Sequence, residues 1–176
     1  AGVLVIETEE SAFRRGAKIL AYLGGYGQVS DARHATDPDG AKQIRTIEKA
    51  TEGIRFPITG TIYVNAHGTA TPAGDPIELN SIRHAVADHT DTVVSSTKGA
   101  TGHTLGAAGA IEAIFCVKAL MTGIVPPTVH HDDPIEEANG MNLVPNKAKM
   151  HSPVVAINNS VGFGGINSAV RLYKAL

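Results

Sequence analysis

The sequence predicts an α/β fold in which a mixed sheet is covered by helices, and three observations point there. β-Prone runs at 61–66 and 92–95 are each followed by a helical run, at 76–87 and 105–122. Two further β-prone runs, 154–158 and 169–173, close the chain with no helix between them. Glycine-rich turns stand where strands hand over to helices. Such alternation implies parallel neighbours joined by helical crossovers, with the closing pair antiparallel. Ligands of such sheets sit beyond the carboxyl ends of the strands.

The remaining elements follow in chain order. Residues 3–7 and 18–26 are β-prone and flank a short charged helix or turn at 9–16, so they are expected to pair as adjacent strands. Two strands alone seldom hold together in water, so this pair is expected to lean on other sequence. Residues 30–40 read as a loop, and 41–52 as a helix carrying Ile44, Ile47 and Ala50 and ending at Gly53. Before the helix at 76–87, Asp75 is expected to cap, Pro76 to take the first position and Glu78 to return a hydrogen bond in capping-box style. A Pro-rich connection runs from 125 to 145.

Composition narrows the function classes. A chain of 176 residues suffices for one domain with a real core and is too short for two full-sized ones, so it reads as one module or a piece of something larger. The net charge is −2 with both signs mixed along the chain. That balance gives no basic stripe for nucleic acid and no polybasic segment for a membrane surface. Small, nearly neutral ligands or an acidic carrier domain remain as partners. One cysteine, Cys116, excludes an internal disulfide framework and suits a reducing compartment. The apolar runs, including 107–121, carry Glu112 and Lys118 and fall short of the ~20 residues of a membrane span. Residues 1–7 lack the cationic lead of a signal peptide. The expectation is a soluble, cytoplasmic protein.

Three loops carry the chemistry. The first is Asn65-Ala66-His67-Gly68-Thr69-Ala70-Thr71-Pro72-Ala73-Gly74-Asp75, in which Gly68 and Gly74 permit close backbone approach and Thr69 and Thr71 present hydroxyls to a cleft. The second is Ser96-Thr97-Lys98-Gly99-Ala100-Thr101-Gly102-His103, with His103 at a helix start, where unpaired amides and the macrodipole disfavour an imidazolium. A neutral ring that donates a hydrogen bond is expected. Lys98 is expected to pair with Glu112, since an unpaired carboxylate on that otherwise apolar helix would be costly. The third is Asn158-Asn159-Ser160-Val161-Gly162-Phe163-Gly164-Gly165, where the glycines let the Phe163 amide point at an oxyanion while its ring covers the pocket.

Taken singly, each loop has a plainer account: a turn histidine bonding locally, a histidine holding a helix end, a glycine-rich strand connection. Together they supply two imidazoles, a lysine and backbone donors. Those parts hold a carbonyl as negative charge develops, as when a carboxylate leaves a β-keto acid or malonyl thioester. No nucleophile accompanies them. Cys116 falls among Ile111, Ile114, Phe115, Val117 and Leu120 and reads as a buried small hydrophobe. His130-His131-Asp132-Asp133 puts four possible ligands in a row, but adjacent residues rarely converge on one ion and no His-Glu-x-x-His helix is present, so no metal site is expected. The third loop also lacks the spacing of a nucleotide cradle.

The three loops, in this order, resemble the β-ketoacyl-acyl carrier protein synthases of the thiolase superfamily, most closely the type II-like forms that elongate medium and long chains. The likeness extends over the whole chain, with motifs at 65–75, 95–109 and 158–167. It implies a thiolase-like fold: a five-stranded mixed sheet covered by helices, forming the second half of a five-layered α-β-α-β-α sandwich. Residues 31–176 would be the C-terminal β-ketoacyl synthase domain. Residues 1–30 would be the last two strands of an otherwise missing N-terminal half, which carries the nucleophilic cysteine. The implied reaction is the decarboxylative Claisen condensation of an acyl thioester with malonyl-acyl carrier protein in fatty acid chain elongation, with this chain inactive alone.

By the same resemblance, His67 and His103 assist decarboxylation and hold the thioester oxygen, and Lys98 and Glu112 support them. Phe163 gates the pocket and adds its amide to the oxyanion hole, Gly162, Gly164 and Gly165 bind substrate, Thr69 and Thr71 bind the phosphopantetheine arm, and residues 31–38 form a second gating loop. Acyl carrier protein is the implied partner, the complete form is a homodimer, and no tightly bound cofactor is expected. Val161 and Ile166 stand where the family's commonest form has phenylalanine and threonine or histidine, which alters the pocket beside the gate. The competing reading is a non-catalytic partner resembling a chain-length factor that binds the carrier. A third, a thiolase-like or metal-dependent hydrolase, would work without the missing cysteine.

Overall fold

A computed structural model describes residues 1–34, 36–54, 58–89 and 91–175. Thr8 caps the first helix, α1 (Glu9–Arg14), by accepting the Ser11 amide, and acidic residues in its first turn and Arg14 in its last suit the macrodipole. Strand β1 (Ala21–Ser30) follows. Asp39 caps α2 (Gly40–Thr51) by accepting the amides of Ala41 and Lys42, and Gly53, at φ +83°, supplies the left-handed turn just beyond its end. Next come β2 (Ile62–Asn65), α3 (Gly74–Ala85), β3 (Thr92–Ser95) and the single-turn α4 (Lys98–Thr101). The expected long helix begins as a 3₁₀ turn at Leu105–Ala107 and becomes α5 (Ala108–Thr122), closed by Gly123 in the left-handed region. Three short strands, β4 (Ile124–Val125), β5 (Asn142–Leu143) and β6 (Lys149–Met150), lie within or beside the Pro-rich connection, before β7 (Val155–Gly162) and β8 (Ile166–Lys174).

The main sheet runs β1-β8-β7-β2-β3-β5. β2 is parallel to both β3 and β7, β3 is parallel to β5, and β7 and β8 form the expected antiparallel pair. β2 is buried along its whole length, and its alternating side chains divide the core. Ile62 and Val64 join Ile47, Ala50 and Ile82 on the α2 and α3 side. Tyr63 joins Cys116, Ala119 and Leu120 of α5 on the other. Helices thus cover both faces of a mixed sheet, and the apolar stretch 105–122 is occupied on one face by this packing.

Among the described residues, 31–176 supply five strands of the sheet, as expected, and β1 adds a sixth at its edge. One expectation is corrected. The pairing of 3–7 with 18–26 does not form: residues 1–8 carry no strand, and Val3, Val5 and Ile6 are exposed. β1 instead lies antiparallel to β8 over its whole length, from Ala21 opposite Lys174 to Ser30 opposite Ile166. The reason is competition for an edge. β-Branched residues form a strand only where a neighbour completes the ladder, and β8 offers a nine-residue edge that β1 fills. A register shift between Leu23 and Gly25 is clasped by Arg171, which donates to the carbonyls of Gly24 and Glu52.

Candidate active site

β2 and β3 end level with each other. The amide of Ala66 donates to the Ser95 carbonyl at 2.9 Å, so the loops that follow both strands emerge at the same carboxyl edge. Glu78, on the buried side of α3, holds the first loop: it accepts the amides of His67 and Gly68, each at 2.7 Å, and the side-chain amide of Asn159 at 2.7 Å. On the other side Ser96 donates to the Gly68 carbonyl at 3.0 Å. Gly68, at φ +42°, sits so close that a Cβ there would lie 2.6 Å from the Ser96 Cβ. The loop is clamped between two elements with no room for a side chain.

This overturns the expected capping box. α3 starts at Gly74, its N-cap Ala73 makes no side-chain bond, and Thr71 Oγ1 instead accepts the Gly74 amide at 3.1 Å. Asp75 and Pro76 lie inside the first turn, where a proline lacks no needed donor. Glu78 is drawn away from the helix end because two loop amides beside it would otherwise be buried unpaired. Burial raises the pKa of Glu78 and of Asp75, against backbone donors that favour their ionised forms.

His67 is partly buried. Desolvation, with the charge of Lys98 and the neighbouring His103, lowers its pKa to about 3, so its ring is neutral at physiological pH. The ring meets His103 edge to face, with centroids 5.3 Å apart and planes at 85°. His103 lies between Gly102 (φ +72°) and Leu105 (φ +52°), in the bend between α4 and the 3₁₀ turn. The Leu105 amide donates to its Nδ1 at 3.1 Å. A neutral ring that accepts at Nδ1 carries its proton on Nε2, which is then a donor.

Lys98 and Glu112 form the expected ion pair, with side chains only 5% and 3% exposed. Burial raises the pKa of Glu112, and Lys98 opposes the shift. Cys116 is fully buried and its thiol is pushed up by desolvation, which leaves it in the core as expected.

The third loop is the β7–β8 turn. Gly164 and Gly165 have φ of +77° and +75°, and Phe163 at its tip is 77% exposed, so its ring stands at the cavity rim and does not seal it. The Gly165 carbonyl accepts the Asp31 amide at 2.8 Å and the Asn167 side-chain amide at 3.2 Å. The loop at 31–38 and the glycine turn are thereby joined. Ala35, within that loop, lies outside the described residues.

These loops surround a cavity of about 970 Å³ with a mainly apolar wall. His67, His103, Thr69, Thr71, Gly162, Phe163 and Gly165 line it, as do His34, Thr36, Asp37 and Pro38 of the second loop. Lys98, Glu112 and Gly164 do not reach the wall, so the ion pair acts from behind it. From the sequence Glu78 reads only as a helix cap, Ser96 and Asn159 only as members of their loops, and Gln43 is not singled out. Gln43 lines the cavity from α2 with a buried amide oxygen that lacks a hydrogen-bond partner among the described residues. His131 and Asp132 are tied to Asn146, through the His131 amide at 3.0 Å and the Asp132 carboxylate at 2.8 Å. Among the described residues no three His, Cys, Asp or Glu side chains gather as metal ligands.

Comparison with known proteins gives a consistent picture. The family described as "Beta-ketoacyl synthase, C-terminal domain" matches residues 20–132. The chain is 47% identical, over 99% of its length, to "3-oxoacyl-[acyl-carrier-protein] synthase 2" of Vibrio harveyi. It spans 43% of that relative, and a similar share of other curated relatives. Among solved structures, the ishigamide ketosynthase/chain length factor superposes with a TM-score of 0.89 at 34% identity, covering 97% of this chain and 42% of that one. A type II polyketide ketosynthase bound to a hexaketide, in complex with its acyl carrier protein, superposes with a TM-score of 0.88 at 31% identity over the same shares.

Proposed function

From the premise that this chain belongs to the β-ketoacyl synthase family, as its C-terminal domain, we propose that it supplies the two-histidine half of a condensing site in fatty acid elongation. The observation that carries the reading is the histidine pair: a neutral His67 ring 5.3 Å from a His103 whose Nδ1 is already occupied. When malonyl thioester loses carbon dioxide, the electrons of the broken C–C bond pass to the thioester oxygen and make an enolate. Neutral imidazole donors fixed at that oxygen stabilise the charge as it forms, with no reorganisation at the moment of reaction. The enolate carbon then attacks the acyl thioester carbon. A C–C bond forms, the C–S bond breaks, and the thiolate returns to the cysteine that carried the acyl group.

That cysteine belongs to sequence outside this chain, because Cys116 is enclosed in the core. Lys98 and Glu112 hold the second loop from behind. Thr69 and Thr71 offer hydroxyls to the phosphopantetheine arm, and Phe163 gates the cavity and turns its amide toward the oxyanion. Residues 1–30 are assigned to the end of a preceding half. The exposed Val3, Val5 and Ile6, and a length under half that of the relatives, support this for the residues before β1, whereas β1 itself completes this chain's own sheet against β8. A homodimer and a cytoplasmic setting, with no tightly bound cofactor, complete the proposal.

A second reading, a chain-length-factor-like partner without catalysis, draws support from the likeness to a ketosynthase/chain length factor assembly. The intact histidine pair and the buried Lys98–Glu112 pair favour the condensing reading. In the full-length polypeptide containing this chain, His67→Ala and His103→Ala are each expected to slow carbon dioxide release from malonyl-acyl carrier protein by about 100-fold or more, with an unchanged circular dichroism spectrum. Unaltered release in either variant removes that residue from the mechanism. No release from the unmodified polypeptide establishes the non-catalytic reading.

A further inference from the structure

One polar side chain of the cavity wall has no part in the histidine chemistry and no partner of its own. Gln43, in the first turn of α2, is 1% exposed, and its amide oxygen is buried without a hydrogen bond among the described residues. The hydroxyls on the buried face of the same helix are satisfied: Thr46 and Thr51 donate to the carbonyls of Lys42 and Ile47, at 2.8 and 2.9 Å. Packing does not call for an amide at position 43. The buried face continues with Ile47 and Ala50, and an apolar side chain would close it without the cost of a buried, unpaired polar group.

The packing of α2 on α3 fixes where this amide lies. The Ser81 hydroxyl of α3 donates to the Gly40 carbonyl, at the start of α2, at 3.2 Å. Gln43 stands one turn before Ile47 and Glu78 one turn before Ile82, and the two isoleucines share one core cluster. The amide therefore sits at the cavity end of the α2–α3 packing. On the sheet, Asn159 reaches Glu78, so Val161, two residues on, faces the same side. Gln43, Glu78, Val161 and Pro38 all line the cavity. Glu78 is already engaged by two loop amides and Asn159, and the side chains of Val161 and Pro38 have nothing to donate. The threonine side of the cavity differs, because Thr71 is exposed and Thr69 half-buried. An arm that leads out to a carrier in solvent runs past those threonines, whereas the enclosed Gln43 meets the inward part of a substrate.

We propose that Gln43 sets the chain specificity of the site: its amide hydrogen-bonds a hydroxyl carried on the acyl chain, so that the α2–α3 side of the cavity selects such chains over wholly apolar ones. The inference rests on the condensing-site reading and names the class of chain that its cavity takes. The terminal torsion of a glutamine is broad, so either end of the amide turns to the cavity. A hydroxyl both donates and accepts, and it satisfies either end. Beside a plain alkyl chain the amide stays buried and unpaired, which is the condition under which a site discriminates most strongly against a ligand that lacks the matching group. The rest of the wall is mainly apolar and suits the methylenes of the same chain.

The test is calorimetric titration of the full-length polypeptide containing this chain with decanoyl-pantetheine analogues in which an amide nitrogen replaces the reactive sulfur. One analogue is unsubstituted, and the others carry a single hydroxyl moved along the chain. At least one hydroxylated analogue is expected to bind the wild type about tenfold or more tighter than the unsubstituted one. Gln43→Met and Gln43→Leu nearly keep the volume and remove the amide. Each is expected to erase the preference by weakening the hydroxylated analogue and not the unsubstituted one, with an unchanged circular dichroism spectrum. A wild type that shows no hydroxyl preference overturns the inference, whatever the variants do. So does a preference that survives in a folded variant, or a loss equal for all analogues, which marks an amide serving the shared pantetheine arm. Carbon dioxide release from malonyl-acyl carrier protein by the same wild-type sample decides the condensing reading separately.

Discussion

His67 and His103 are neighbours with different supports, and each support makes a different demand on the sequence. His103 is oriented by one backbone amide two residues on. His67 is oriented through its loop, by Glu78 from one side and Ser96 from the other. In the folded protein His67 takes up a proton only near pH 3, against 6.5 for an ordinary histidine. Between those values the unfolded chain binds the extra proton, so this residue's contribution to stability is present above pH 6.5 and is lost as pH falls toward 3. His67→Gln is therefore expected to flatten the wild-type dependence of urea stability on pH across that window. Asp75, Glu78 and Glu112, raised by burial, act in the opposite sense, so the comparison is variant against wild type. An identical slope in the variant would place the acid sensitivity elsewhere. The Lys98–Glu112 pair was legible in the sequence, because a carboxylate on an apolar helix needs a partner and a lysine stood before it. Glu78 was misread because its spacing from Asp75 satisfies a local capping pattern. The winning interaction is with a loop ten residues upstream, which no local pattern encodes.

Among the elements, the decisive contact joins the two loops that rim the cavity. Gly165, at φ +75°, lies against Asp31 so tightly that a Cβ would overlap its carboxylate. Gly165→Ala is expected to cost about 1–3 kcal/mol in urea denaturation. Asp31→Ala in the same chain should relieve the overlap but not the backbone strain, so the double variant should lose less than the sum of the singles. Strict additivity would show that the loops are independent. Helices and central strands were legible to within a few residues, because their apolar periodicity is set by the layers that cover them. Residues 3–7 have equal β propensity and form no strand, since propensity becomes structure only beside a free ladder edge.

At the scale of the molecule, the six-stranded sheet ends on one side in β1, ten residues long, with Leu23 and Tyr26 exposed along it. Phe13 and Leu20 are exposed nearby in sequence. The alternation that predicted a helix-covered sheet held, but it could not say which strand would stand outermost, because edge position depends on pairing between segments far apart in sequence, here β1 with β8. A long outer strand with apolar side chains is a template for another chain. Handled on its own, this polypeptide is expected to self-associate as concentration rises, with light scattering increasing before any loss of secondary structure. Tyr26→Lys, which sets a charge on that strand, should delay the onset without lowering the melting temperature, and no delay would locate the sticky surface elsewhere. The strand that clasps this domain so fully to itself also limits how concentrated its solutions can be made.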